Sequence, residues 1–173
     1  LVRATGDGRF AIHAVLRHFG ARRLDATPAL AERVRDGHAT YFLNRFGALV
    51  ATHGADARPV VTMAEGDGDN LQAAWRHVVD QRRLTLVHAV AVDLVAHYYA
   101  QGPNSAGIAL CDAVVRWWGE RGGSEARDPI LGALAARLAA ERGFFALRRG
   151  DAGAADAAPG SAIAIAADLG DEP

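Results

Sequence analysis

The strongest constraint on this chain is helical periodicity that returns again and again, broken only by short turns bearing Gly or Pro. From Ala14 onward, apolar residues recur at spacings of three, four and seven, and each run ends at residues that cannot continue it. A helix turns once per 3.6 residues, so such a stripe is buried only when another helix lies against it. Successive stripes joined by short connections therefore fold as neighbouring helices laid side by side. Composition agrees, because about a fifth of the chain is Ala while the strand-favouring Ile, Thr and Tyr are scarce. The expected fold class is mostly α.

Only the first stretch reads as sheet. Leu1 to Thr5 and Arg9 to His13 flank Gly6-Asp7-Gly8, the punctuation of a β-hairpin. Helical spacing takes over at Val15, Leu16, Phe19 and Leu24. Thr27-Pro28 reads as a cap followed by Pro at the first helical position, opening a helix to about Thr52 that stops at His53-Gly54. Arg58-Pro59 reads as non-helical chain, so residues 54–68 are expected to form a connection, with Asp69 capping a helix to about Gln81. Residues 84–100 and 105–119 then pair across Gln101-Gly102-Pro103-Asn104. Beyond a loop at Arg121-Gly122-Gly123-Ser124, residues 128–148 and 152–169 pair across Arg149-Gly150-Asp151. Pro159 falls inside the last helix, where Pro costs roughly 3 kcal/mol relative to Ala. Adjacent indoles at Trp117 and Trp118 diverge by about 100° on a helix, so one can be core while the other is at a surface.

Several function classes drop out on simple grounds. A chain of 173 residues with a net charge of −1 lacks the basic footprint of a dedicated nucleic-acid binder, and no direct nucleic-acid contact is expected. No apolar run approaches the roughly 18–20 residues that span a bilayer, and nothing at the start resembles a signal peptide, so no membrane contact and a cytoplasmic location are expected. All 19 basic residues are Arg, which removes Lys Schiff-base chemistry and the P-loop Lys. Cys111 is the only cysteine, so it has no partner for an internal disulfide, and on an apolar stripe it reads as core. Gly6-Asp7-Gly8-Arg9-Phe10-Ala11 fits a dinucleotide fingerprint in letters alone, because the segment after it reads as strand where the fingerprint must open a helix. Asp67-Gly68-Asp69-Asn70 resembles the start of a calcium loop, but Trp75 and Val78 stand where closing ligands belong. The seven His show no metal-ligand spacing. No arrangement supports catalysis, so the chain is expected not to be an enzyme and to carry no cofactor.

Paired helices laid end to end call for a test against repeat patterns. The tetratricopeptide pattern places a small residue on helix A, a Gly-like turn, and small, aromatic and small positions on helix B. With the turn at Gly102, Leu94 and Tyr98 occupy helix A, and Gly107, Cys111 and Val114 occupy helix B. With the turn at Gly150, the small positions are Gly143, Ala155 and Ala162; the aromatic position falls on Pro159, and Arg142 stands where Leu is usual. The two turns lie further apart than one such repeat is long, placing an insertion near residues 119–130.

A wider resemblance runs through the chain. Arg9-Phe10-Ala11-Ile12-His13-Ala14-Val15-Leu16-Arg17-His18-Phe19 resembles the wing strand and following helix of the winged-helix subdomain in bacterial STAND-type ATPases of the LuxR and AfsR kind. Gly37-His38-Ala39-Thr40-Tyr41-Phe42-Leu43 and Asp69-Asn70-Leu71-Gln72-Ala73-Ala74-Trp75 are similar to two later helical segments of that family. Leu147-Arg148-Arg149-Gly150-Asp151 resembles the turn of its downstream repeats. The resemblance implies a winged-helix tail at residues 1–26 and a tetratricopeptide-like helical repeat domain at residues 27–173, stacked as a right-handed superhelix. It implies a piece of a larger transcriptional regulator, here a non-catalytic module that binds a protein partner or small effector. The alternative is that these helices only couple a nucleotide switch to a DNA-binding domain and have no ligand of their own. In tetratricopeptide arrays helix A lines the groove, which points to Val92, Ala96 and Tyr99 in one unit and Arg137, Ala140, Phe144 and Arg148 in the next. Tyr99 and Phe144 flanked by Arg137 and Arg148 suit an extended peptide or an anionic effector; the other reading makes both rings inter-repeat core. An exposed repeat end at 152–169 leaves a possible homodimer.

Overall fold

The computed structural model describes residues 2–5, 9–100, 102–120 and 128–170. The chain is mostly α-helical with a helical-repeat arrangement, preceded by a two-stranded hairpin. It divides into two compact units, Leu1–His38 and Ala39–Pro173, and one long helix, α2 (Pro28–His53), contributes to both. No helix among the described residues is long and apolar enough to cross a membrane.

The first unit holds β1 (Val2–Thr5), β2 (Arg9–Ile12), α1 (Ala14–Asp25) and the start of α2. The strands are antiparallel with Val2 opposite Ile12 and Thr5 opposite Arg9, which agrees with the expected hairpin; its turn, Gly6-Asp7-Gly8, lies outside the described residues. His13 caps α1, its Nδ1 accepting from the Val15 N–H at 3.3 Å. Arg22 and Arg23 occupy the last turn, where the helix dipole favours cations. Pro28 opens α2 where a missing N–H costs nothing, and the Thr27 carbonyl accepts from Leu30 and Ala31. Asp25 and Arg35 form an ion pair linking α1 to α2. No residue of α1 is buried, and its Val15 and Phe19 are exposed.

The second unit begins with the rest of α2 and continues through α3 (Arg58–Asp80), α4 (Leu84–Ala100), α5 (Asn104–Gly119), α6 (Pro129–Arg148) and α7 (Ala152–Gly170). In α4–α5 and α6–α7 each helix packs on the next. The first helix of one hairpin also meets the first helix of the following one, α4 against α6, and α3 likewise meets α5. In the same way Phe46 of α2 lies 5.9 Å from the His97 ring of α4, and Gly47 faces Val90. This ordering, in which an element chiefly touches its neighbour and its next neighbour but one, is that of a stacked array. One continuous core results, with Leu43, Phe46, Val60, Leu94, Val114 and Phe145 among its buried members. Gly54 (φ 88°) and Gly150 (φ 82°) terminate α2 and α6 in the left-handed region that a side chain rarely enters, as the expected stops require.

Several expectations need correcting. The connection after α2 is only residues 54–57, not 54–68, because α3 starts at Arg58 and runs through the rest. Pro59 stands in the first turn, where it starts a helix rather than ending one. Asp69 is therefore inside α3 rather than its cap. The segment stays helical because Val60, Met63 and Ala64 bury before it and Leu71, Ala74 and Trp75 bury after it. What the Gly-Asp run does produce is a kink at Asp67 (φ −122°, ψ 17°), whose buried carboxylate accepts from Asn70 Nδ2 at 3.0 Å and lies 3.8 Å from Arg45.

Trp117 and Trp118 are both buried, so neither indole is at a surface. Successive positions can both be covered here because α5 lies between other helices, meeting α3 and α4 as well as α6. In the last hairpin a Cβ on Gly143 would stand 2.7 Å from that of Ala158 and 3.5 Å from the Ala155 carbonyl. Pro159 consequently faces solvent. Arg142, in place of the usual Leu, reaches back to Asp112 of α5, with Nε 2.5 Å from Oδ1, and ties one hairpin to the next.

Candidate functional site

The groove residues sit on α4 and α6, and adjacent aromatic pairs decide their placement. A step of one residue rotates a side chain by about 100°, so a pair such as Tyr98-Tyr99 can send one ring inward and one outward. Tyr98 is buried, its hydroxyl bonded to Gln72 while burial raises its pKa. Tyr99 is 45% exposed. On α6 the same division separates Phe145, fully buried, from Phe144, 54% exposed. Tyr99 and Phe144 are therefore not core; their neighbours fill that role.

Arg148 holds Tyr99 in place. Tyr99 lies in the last turn of α4, where carbonyls have no partner within the helix. Arg148 Nη1 donates to the Tyr99 carbonyl, and its guanidinium carbon sits 4.8 Å above the Tyr99 ring. A helix C-terminus and an aromatic face both attract a cation, so one side chain satisfies two demands. The Tyr99 ring also meets the edge of Phe145, with centroids 6.1 Å apart and planes at 65°.

Beside this cluster a groove of about 270 Å³ opens between α4 and α6, walled by Val92, Ala96, Tyr99, Arg137 and Phe144. Val95 and Glu141 complete it, and neither belonged to the expected set. Glu141 lies one turn beyond Arg137, with its Oε1 3.9 Å from Arg137 Nε, a spacing the sequence did contain. Ala140 is exposed but does not line the groove. Of the two expected arginines, Arg137 faces the groove while Arg148 is engaged with Tyr99. The floor is apolar, two rings project at one end, and one ion pair marks the wall.

Chemical groups elsewhere do not converge. Cys111 is fully buried, and burial pushes its thiol up to about 12, so it is scarcely a thiolate at neutral pH. Among the described residues no group of three His, Cys, Asp or Glu side chains could hold a metal ion, and Asp67 is already engaged by Asn70.

Fold and groove together describe a mostly α-helical protein of helical-repeat arrangement with an aromatic-rimmed groove between α4 and α6. No family model matches the chain, and neither a curated protein nor a solved structure does.

Proposed function

We propose that this chain is a non-catalytic interaction module of a bacterial transcriptional regulator, acting in the cytoplasm, and that it takes an extended segment of a protein partner between α4 and α6. The observation that carries the binding role is the pair of exposed rings, Tyr99 and Phe144, on neighbouring helices beside Arg137. Exposed aromatics on a preorganised surface are the usual anchors of protein interfaces, with Arg close behind. Arg148 fixes Tyr99 before any partner arrives, so less freedom is lost on binding. The regulator reading rests on the resemblance of Arg9–Phe19, Gly37–Leu43, Asp69–Trp75 and Leu147–Asp151 to segments of STAND-type regulators.

Peptides selected by phage display against the chain provide the test. Tyr99→Ala combined with Phe144→Ala should weaken the selected peptides at least tenfold in calorimetry, while helical circular dichroism and Tm stay near wild type. Unchanged affinity assigns the peptides to another surface. A large fall in Tm makes the rings structural and removes the proposal.

A further inference from the structure

A second hollow, sharing no residue with the groove, lies between α3 and α5 and measures about 330 Å³. Its lining is mixed. Leu71 of α3, Leu94 of α4 and a stripe of small side chains on α5, Ala106, Ala109 and Ala113, supply the apolar part. The polar part comes from Gln72, Arg76 and Asp80 of α3, Tyr98 of α4, and Asp112 and Arg116 of α5.

The polar groups sort into engaged and free. The Tyr98 hydroxyl is bonded to Gln72, and Asp112 is held by Arg142 of α6. Arg76, Asp80 and Arg116 are exposed, and none of them forms an ion pair among the described residues. Each misses the partner its own helix offers. Asp112 stands one turn before Arg116, the favourable order for a pair on a helix, but Arg142 has taken that carboxylate. Arg76 stands one turn before Asp80, the less favourable order. The Arg76 side chain makes a single bond, a long one from Nε to the Gln72 carbonyl at 3.4 Å.

Two guanidinium groups thus line one hollow, one from α3 and one from α5, with their terminal N–H groups unused. Against them stands one unpaired carboxylate, so the free charge here is positive, and an apolar wall lies beside it. A guanidinium fork matches a carboxylate through two parallel N–H···O bonds. The volume falls near the small end of the usual range of about 300–1,000 Å³ for small-molecule sites.

We infer that the hollow between α3 and α5 binds a compact amphiphilic carboxylate. Arg76 and Arg116 hold its carboxyl group, and its hydrocarbon body lies against Leu71, Leu94 and the alanine stripe of α5. Asp80 repels the same charge and weakens the site.

Calorimetry of the full chain with 3-phenylpropanoate tests this against 3-phenylpropylamine, which keeps the ring and reverses the charge. The acid should bind saturably and the amine at least about tenfold more weakly. Arg76→Gln and Arg116→Gln should each weaken the acid by about tenfold, with helical circular dichroism and Tm unchanged. Asp80→Asn should strengthen it by roughly two- to threefold. Ala109→Leu, which fills the hollow from an exposed position, should abolish binding, while Phe144→Ala leaves it unchanged and so separates this hollow from the groove between α4 and α6. No saturable heat up to the solubility limit overturns the inference. So do equal affinities for acid and amine, or acid binding that survives in both arginine variants. Weaker binding in Asp80→Asn overturns it as well, because the carboxylate would then be holding a cation.

Discussion

His97 shows how one residue sets a solution property. It sits on the buried face of α4 between the rings of Phe46 and Tyr98, at 5.9 and 5.6 Å, and is only 5% exposed. Its Nδ1 has no hydrogen-bond partner among the described residues. Burial lowers its pKa from the ordinary 6.5, with Glu65 pulling weakly the other way. The unfolded chain therefore binds a proton that the folded chain refuses, in the window between 6.5 and the lower folded value. Stability from this group is complete above pH 6.5 and is lost as the pH falls through that window, with a limiting slope of about 1.4 kcal/mol per pH unit. Asp93, whose pKa burial raises, acts with opposite sign and lower on the scale: its contribution is present below pH 3.8 and is lost as the pH rises through its folded value. Urea unfolding should give a smaller free energy at pH 5.5 than at pH 7.5, and His97→Gln should flatten that difference. An unflattened slope would place the titrating group elsewhere.

At the scale of elements, close helix crossings decide which glycines matter. A Cβ on Gly107 of α5 would stand 2.4 Å from the Phe145 ring, which is fully buried and has nowhere to move. Around Gly37 of α2 nothing described lies within 4 Å. Gly107→Ala should therefore destabilise by a net of about 1–2 kcal/mol, overpacking exceeding the gain in helix propensity. Gly37→Ala should stabilise by up to about 1 kcal/mol. Chemical denaturation of the two variants checks both signs, and a stabilised Gly107→Ala would show that the crossing is looser than this geometry. The same local chemistry explains what could be read from the sequence. Thr27-Pro28, Gly54 and Gly150 punctuate helices through backbone preferences that neighbours do not alter, so those boundaries were legible. Pro59 was misread because a proline looks the same after a helix as in its first turn; only the burial of Val60 and Met63 distinguishes the cases. Tyr99, Arg137 and Phe144 line one groove because helical spacing sets which faces of α4 and α6 they take. Arg148 bonding to Tyr99 was hidden, since it depends on which carbonyl ends α4 and on the distance between α4 and α6. The hollow between α3 and α5 was hidden for a similar reason, because a stripe of Ala shows small size and not what stands opposite.

For the repeat unit as a whole, stacking order governs how stability is distributed. Elements that chiefly meet near neighbours in sequence can open from one side without disturbing the rest. Within Ala39–Pro173, α4 buries residues along its whole length from Val87 to Tyr98, and α6 does so from Leu131 to Ala146. The last described helix, α7, packs mainly on α6 and buries only Ala158 and Ile165. It also carries Pro159, whose missing N–H deprives the Ala155 carbonyl of its helical donor. Native-state hydrogen exchange should therefore show α7 opening at a free energy well below that of α4 and α6, as a unit of its own. Ile165→Ala should lower protection in α7 by about 2 kcal/mol or more while leaving the amides of α4 unchanged. If protection instead falls equally in α4 and α7, the hairpins unfold as one cooperative body and the stack is not additive.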